Sequence, residues 1–141
     1  MKRLTQLLAQ RQGGVYRWQG ESLQVPATRG VDTPVIVTID VPDSKAALLE
    51  RLAESLKLPE WFGHNWDALE DCLADLPHAA DRGLVIELRH LSALAARDPD
   101  SARTLLDVLQ DAATEWQHRG GFLLVLAEGA GRLAGDIDQA G

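Results

Sequence analysis

Three short runs of nearly unbroken apolar sequence constrain this chain more than any other feature: Val35–Ile39, Leu84–Leu88 and Phe122–Leu126. A strand with one wet face alternates apolar and polar residues. A run without that alternation reads as a strand covered on both faces. The first run is also almost wholly β-branched, which suits a pleated, buried surface. Between the runs the period changes to that of helices. Asp43 or Ser44 can cap a helix whose buried stripe is Leu48, Leu49, Leu52 and Leu56. Pro59 would end it, because the residue before a proline avoids helical angles. Leu91–Ala96 reads as a short helix. Asp98-Pro99, a cap followed by proline at the first helical position, starts a longer one. It runs to about His118 with Leu105, Val108, Leu109, Ala112 and Trp116 inward, and Gly120-Gly121 stops it. Apolar strands alternating with helices predict an α/β layer fold with a parallel sheet and right-handed crossovers. Periodicity carries no information on strand order.

A chain of 141 residues is long enough for one domain with a substantial core. The three runs fall within residues 31–128. Residues 1–30 read as an N-terminal extension: a short helix over 4–11, a break at Gly13-Gly14, a short strand at Val15–Trp18 and another at Ser22–Pro26. Its expected role is a lid or edge strand on the main sheet, with a partner site on Tyr16 and Trp18 as the alternative. Residues 129–141 contain Gly129, Gly131, Gly135 and Gly141 and read as a flexible tail. The net charge of −7 is uneven, because residues 1–30 carry +4 and the rest −11. An acidic body argues against nucleic-acid binding and for a cationic partner. A single cysteine, Cys72, cannot form an intrachain disulfide, which fits a reducing, cytoplasmic setting. The basic start Met1-Lys2-Arg3 leads into no apolar run, so neither a signal peptide nor a membrane span is expected.

The stretch Leu58-Pro59-Glu60-Trp61-Phe62-Gly63-His64-Asn65-Trp66-Asp67-Ala68-Leu69-Glu70-Asp71-Cys72-Leu73 bears most directly on function. Three of the seven aromatic residues fall in six positions here. Residues 58–81 contain six acids and no Lys or Arg. Asn65 can cap a helix that begins at Trp66, accepting from the free amides of its first turn. At 3.6 residues per turn, Trp66, Leu69, Leu73 and Leu76 form one stripe with Cys72 at its border. Asp67, Asp71 and Asp75 form the opposite stripe, with Glu70 at its edge. Like charges at i, i+4 cost a helix about 0.2–0.5 kcal/mol per pair. Asp67 recovers part of this from the helix dipole, whereas Asp71 and Asp75 do not. An acidic run is ordinarily a solvated face. The missing lysines and the aromatic loop point instead to a surface that receives something positively charged.

In these residues the chain resembles the barstar family, intracellular inhibitors of the ribonuclease barnase. The likeness runs without gaps from Leu58 to Leu73, through Trp61 and Phe62, Gly63, Asn65, Asp67-Ala68-Leu69 and Asp71-Cys72-Leu73. Weaker similarity extends from about Val35 to Leu126. The resemblance implies a small three-stranded parallel sheet packed by helices, here with an N-terminal extension. It also implies that the loop and acidic helix plug a nuclease active site, with carboxylates in place of substrate phosphates. By the same likeness Asp71 would enter the catalytic centre, Asp67 would pair with a flanking cation, Trp61 would stack at the rim, and Gly63 and Asn65 would shape the loop. Asp111 on the last helix would add a second acidic contact. The partner implied is a basic extracellular-type ribonuclease or related nuclease toxin, bound one to one by an inhibitor that is a monomer when free.

The departures from the family pattern lie at the border of the acidic core. Glu70 stands in place of an aromatic residue and Ala74 in place of a hydroxyl, and both count among the partner-binding positions. His64 replaces an acid and Trp66 an aliphatic residue, and the chain is a few residues longer between Asp111 and the third strand. The partner could therefore be another nuclease or another kind of toxin. An adaptor for a basic protein that is not a nuclease is the second reading. Catalysis is not expected, since phosphate loop, nucleophile elbow and Cys-x-x-Cys are all missing. His64 and Asp67, at i, i+3, could begin a metal site, but nothing nearby completes one, and neither metal nor cofactor is predicted.

Overall fold

The computed structural model describes residues 10–18, 34–60, 62–74, 76, 83–129 and, for the backbone alone, 138–139. Five strands form one sheet: β1 (Gly14–Trp18), β2 (Val35–Asp40), β3 (Leu84–Arg89), β4 (Leu123–Glu128) and the two-residue β5 (Asp138–Gln139). Four described helices accompany them: α1 (Lys45–Ser55), α2 (Trp66–Leu73), α3 (Leu91–Arg97) and α4 (Pro99–His118). The sheet order is β2-β3-β4-β1-β5 and every pairing is parallel. The α/β class and parallel sheet match the sequence expectation. The strand number does not: the sheet has four full strands and a short fifth, not three. The added full strand is β1, from the segment set apart as an extension. Its residues 14–18 pair with 124–128 of β4. β1 is not the sheet edge, because β5 pairs with Tyr16 and Arg17 on its far side. β5 falls inside the segment 129–141 that composition assigned to a flexible tail. The predicted helix over 4–11 and strand at 22–26 fall largely or wholly outside the described residues.

The main core lies between one sheet face and the helices. Ile39, Leu84, Ile86, Leu88, Leu123 and Val125 from the strands meet Leu48, Leu52, Leu69, Leu73, Leu105, Leu109 and Trp116 from the helices. The stripes predicted for α1, α2 and α4 are buried, with Trp66 only partly so. A smaller cluster on the other face gathers Tyr16, Val85, Phe122, Leu124 and Leu126, with Trp18 against it and no residue from the four helices. β3 and β4 are therefore covered on both faces, as their nearly unbroken apolar runs predict. β2 is not. Ile36 is 41% exposed and Thr38 and Asp40 face outward. This strand is the sheet edge, and its β-branched run reports strand propensity rather than two-sided burial. Among the apolar residues of β3, Glu87 is 2% exposed, and its carboxylate accepts from Arg89 at 2.6 Å. A buried carboxylate persists only when so paired.

Helix ends follow local chemistry. Ser44, not Asp43, caps α1 by accepting from the amide of Ala47; Asp43 instead pairs with Arg97 at 2.7 Å. Asp98 caps α4 with Pro99 at its first position, as predicted. At its far end Gly120 takes a left-handed φ of +84° and the amide of Gly121 donates to Trp116 O at 2.9 Å, a Schellman closure. α1 closes the same way without glycine. Lys57 takes φ +54° and Leu58 N donates to Ala53 O at 3.0 Å. The helix thus ends before Pro59 acts.

Candidate functional site

The loop leading into α2 is pinned from beneath. Phe62 is 4% exposed and its amide donates to Pro59 O. The Phe62 ring is a core anchor. His64 is exposed, its ring tilted at 46° against Phe62 with centroids 4.8 Å apart, and takes a left-handed φ of +52°. Side chains with a Cβ occupy that region at some cost, so the turn is held by its surroundings. Asn65 then caps α2, its Oδ1 accepting from Ala68 N at 2.8 Å while its Nδ2 donates to Gly63 O at 3.3 Å. A Cβ on Gly63 would come within 3.1 Å of that Nδ2. Gly63 and Asn65 therefore shape the loop together.

α2 is divided as its periodicity requires. Leu69, Cys72 and Leu73 are buried, and Asp67, Glu70 and Asp71 are exposed. None of these three acids, nor Asp111, has an ion pair or side-chain hydrogen bond among the described residues. Asp67 lies in the first turn, where the dipole favours a negative charge. Burial, and then the charge of Asp71, raise the thiol of Cys72 above its ordinary value, which suits an inert core residue. Ala74 is half-buried where α2 ends, and its carbonyl accepts from Arg119. Asp111 is exposed on α4, one turn before Glu115 and on the helix packed beside α2. Trp61 and Asp75 lie outside the described residues.

Three residues that the sequence did not assign to the site border it. Lys45 lies 5.8 Å from the Trp66 ring at the start of α2. Trp116, expected only as a core residue, donates its indole N–H to Leu73 O at 2.7 Å. Arg119 reaches the same end of α2 from α4. Side-chain type alone could not assign these contacts, because each crosses between elements far apart in sequence. Among the described residues no three His, Cys, Asp or Glu side chains gather in a way that could hold a metal ion. Among them, too, no helix is long and apolar enough to cross a membrane.

These features define a small α/β protein that presents an exposed acidic helix behind a capped loop, its acids unpaired among the described residues. Comparison with protein families matches residues 34–128 to Barstar (barnase inhibitor), more than half of the chain. The chain belongs to the barstar family. No curated protein matches its sequence.

Proposed function

We propose that this protein is an inhibitor that binds a basic ribonuclease one to one, inserting α2 and the loop before it into the active site. One observation carries the reading. The outward face of α2 displays Asp67, Glu70 and Asp71 without a compensating partner among the described residues, while the inward face is locked in the core. Unpaired carboxylates on a rigid support are what a phosphate-binding cleft lined by Arg, Lys and His would accept. Docking relieves the mutual repulsion of the acids and replaces it with attraction. In this reading Asp71 enters the centre of the cleft and Asp67 pairs at its flank. Glu70 and Ala74 border the contact, Trp61 stacks at its rim, and Asp111 adds a charge from α4. The nuclease would be made for export and held harmless in the cytoplasm. The reading is supported by membership in a family named for barnase inhibitors.

The test is a mixing experiment with purified protein. Titration into barnase, and into basic nucleases captured from the protein's own cell, is expected to abolish RNA cleavage at a ratio of one to one. The protein alone is expected to leave RNA intact. RNA cleavage by the protein itself, or failure to inhibit any of these nucleases, would remove the inhibitor reading.

A further inference from the structure

α2 is a poor helix to leave unsupported. It has eight residues, about two turns, and isolated helices of that length are marginal in water. Its acids repel one another. No basic residue of its own stands in the last turn to offset the dipole. The last carbonyls of a helix have no partner further along it. Here two are taken from outside, both by the end of α4. The Trp116 indole N–H donates to Leu73 O at 2.7 Å in the buried core. The Arg119 guanidinium donates to Ala74 O at 2.8 Å. Glu115 holds that guanidinium with contacts of 3.1 Å to Nε and 3.0 Å to Nη2, so it cannot swing away without breaking them. The Schellman closure at Gly120 and Gly121 sets the position from which Arg119 reaches across.

We propose that Trp116 and Arg119 are positioning residues that lock the last turn of α2, fixing Asp71 and Ala74 before a partner arrives. The lock belongs to the free protein. Its consequence for binding rests on the inhibitor reading above. A surface ordered in advance loses less conformational freedom on docking, so the lock acts mainly on how long a complex lasts. Arg119 also places a cation at the negative end of the α2 dipole.

The experiment compares Trp116→Phe, which keeps most of the ring but loses the N–H, with Arg119→Ala and Arg119→Lys. Hydrogen exchange is followed in the free proteins, and barnase is the binding probe. Losing one such hydrogen bond is expected to speed exchange of the Cys72, Leu73 and Ala74 amides about tenfold. In Arg119→Ala the β3 and β4 amides are expected to stay as protected as before, and Arg119→Lys is expected to restore part of the loss. Dissociation from barnase is expected to quicken in Trp116→Phe and Arg119→Ala with association little changed. Unaltered exchange at the end of α2 in Arg119→Ala would overturn the proposal, even if Trp116→Phe failed to fold. Faster exchange with an unchanged dissociation rate would overturn the positioning role. Faster exchange in a protein that never binds barnase would uphold the lock, and it is the inhibition of barnase that would then have failed.

Discussion

Asp71 and Leu73, two residues apart on α2, allow a test that separates the proposed binding from folding. Leu73 is fully buried and Asp71 is exposed without a partner among the described residues. Leu73→Ala is expected to destabilise the protein by about 2–5 kcal/mol. Asp71→Ala relieves its repulsion with Asp67, about 0.2–0.5 kcal/mol. It also replaces a poor helix former with the best, a gain of up to about 0.7 kcal/mol. The free protein is therefore expected to hold its stability or gain up to about 1 kcal/mol, while nuclease inhibition collapses because buried cations would face a methyl group. Urea unfolding beside an inhibition assay checks both. A strongly destabilised Asp71→Ala would make this acid a structural residue. The burial of Leu73 and the exposure of Asp71 were legible because one period of 3.6 residues decides both. The left-handed turns at Lys57 and His64 were not, since Lys carries no local signal for positive φ and the preference of His for it is weak.

At the level of the element, α4 shows how a cap couples to pH. The Asp98 carboxylate accepts from the Ser101 hydroxyl at 2.6 Å and from its backbone N–H at 3.2 Å. The hydroxyl contact first, and then the amide, hold this carboxyl below its ordinary value. A carboxyl lowered by folding contributes stability that is present above its unfolded value and lost as pH falls through its folded one. Asp98→Ala is accordingly expected to lower Tm at neutral pH, and the gap from the parent protein is expected to narrow as pH drops through the carboxylate range. Thermal unfolding of both across that range is the check. A gap that stays constant into strong acid would show that the charge is irrelevant to the cap. Asp98-Pro99 announced this end of α4 in sequence. Nothing announced that the other end would complete α2, because that contact spans 43 residues from Leu73 to Trp116.

Across the whole molecule, charge separates from shape. Outside residues 1–30 the chain carries −11, and α2 concentrates part of it where no described cation pairs with it. Association with a basic nuclease is expected to slow steeply as salt rises, since exposed charges are screened beyond about 10 Å at 0.1 M ionic strength. Dissociation is expected to respond less, because contacts in a desolvated centre are screened less. Stopped-flow mixing at several salt concentrations separates the two, and an association rate indifferent to salt would mean that the acidic face steers nothing.

Local pattern determined a great deal by itself. Unalternating apolar runs and capped 3.6-residue stripes marked out the parallel α/β class, the helix faces, the Asn65 and Asp98 caps and the exposed acids of α2, because each depends on neighbours within a few positions. Tertiary structure alone decided that β1 lies between β4 and β5 and that β2 is an edge with Ile36 in water. It also decided that α4 supplies the last hydrogen bonds of α2. Strand order and cross-element contacts bring together residues tens of positions apart. Periodicity describes which face of an element is apolar, and the element that comes to cover that face is chosen only when the whole chain closes on its core.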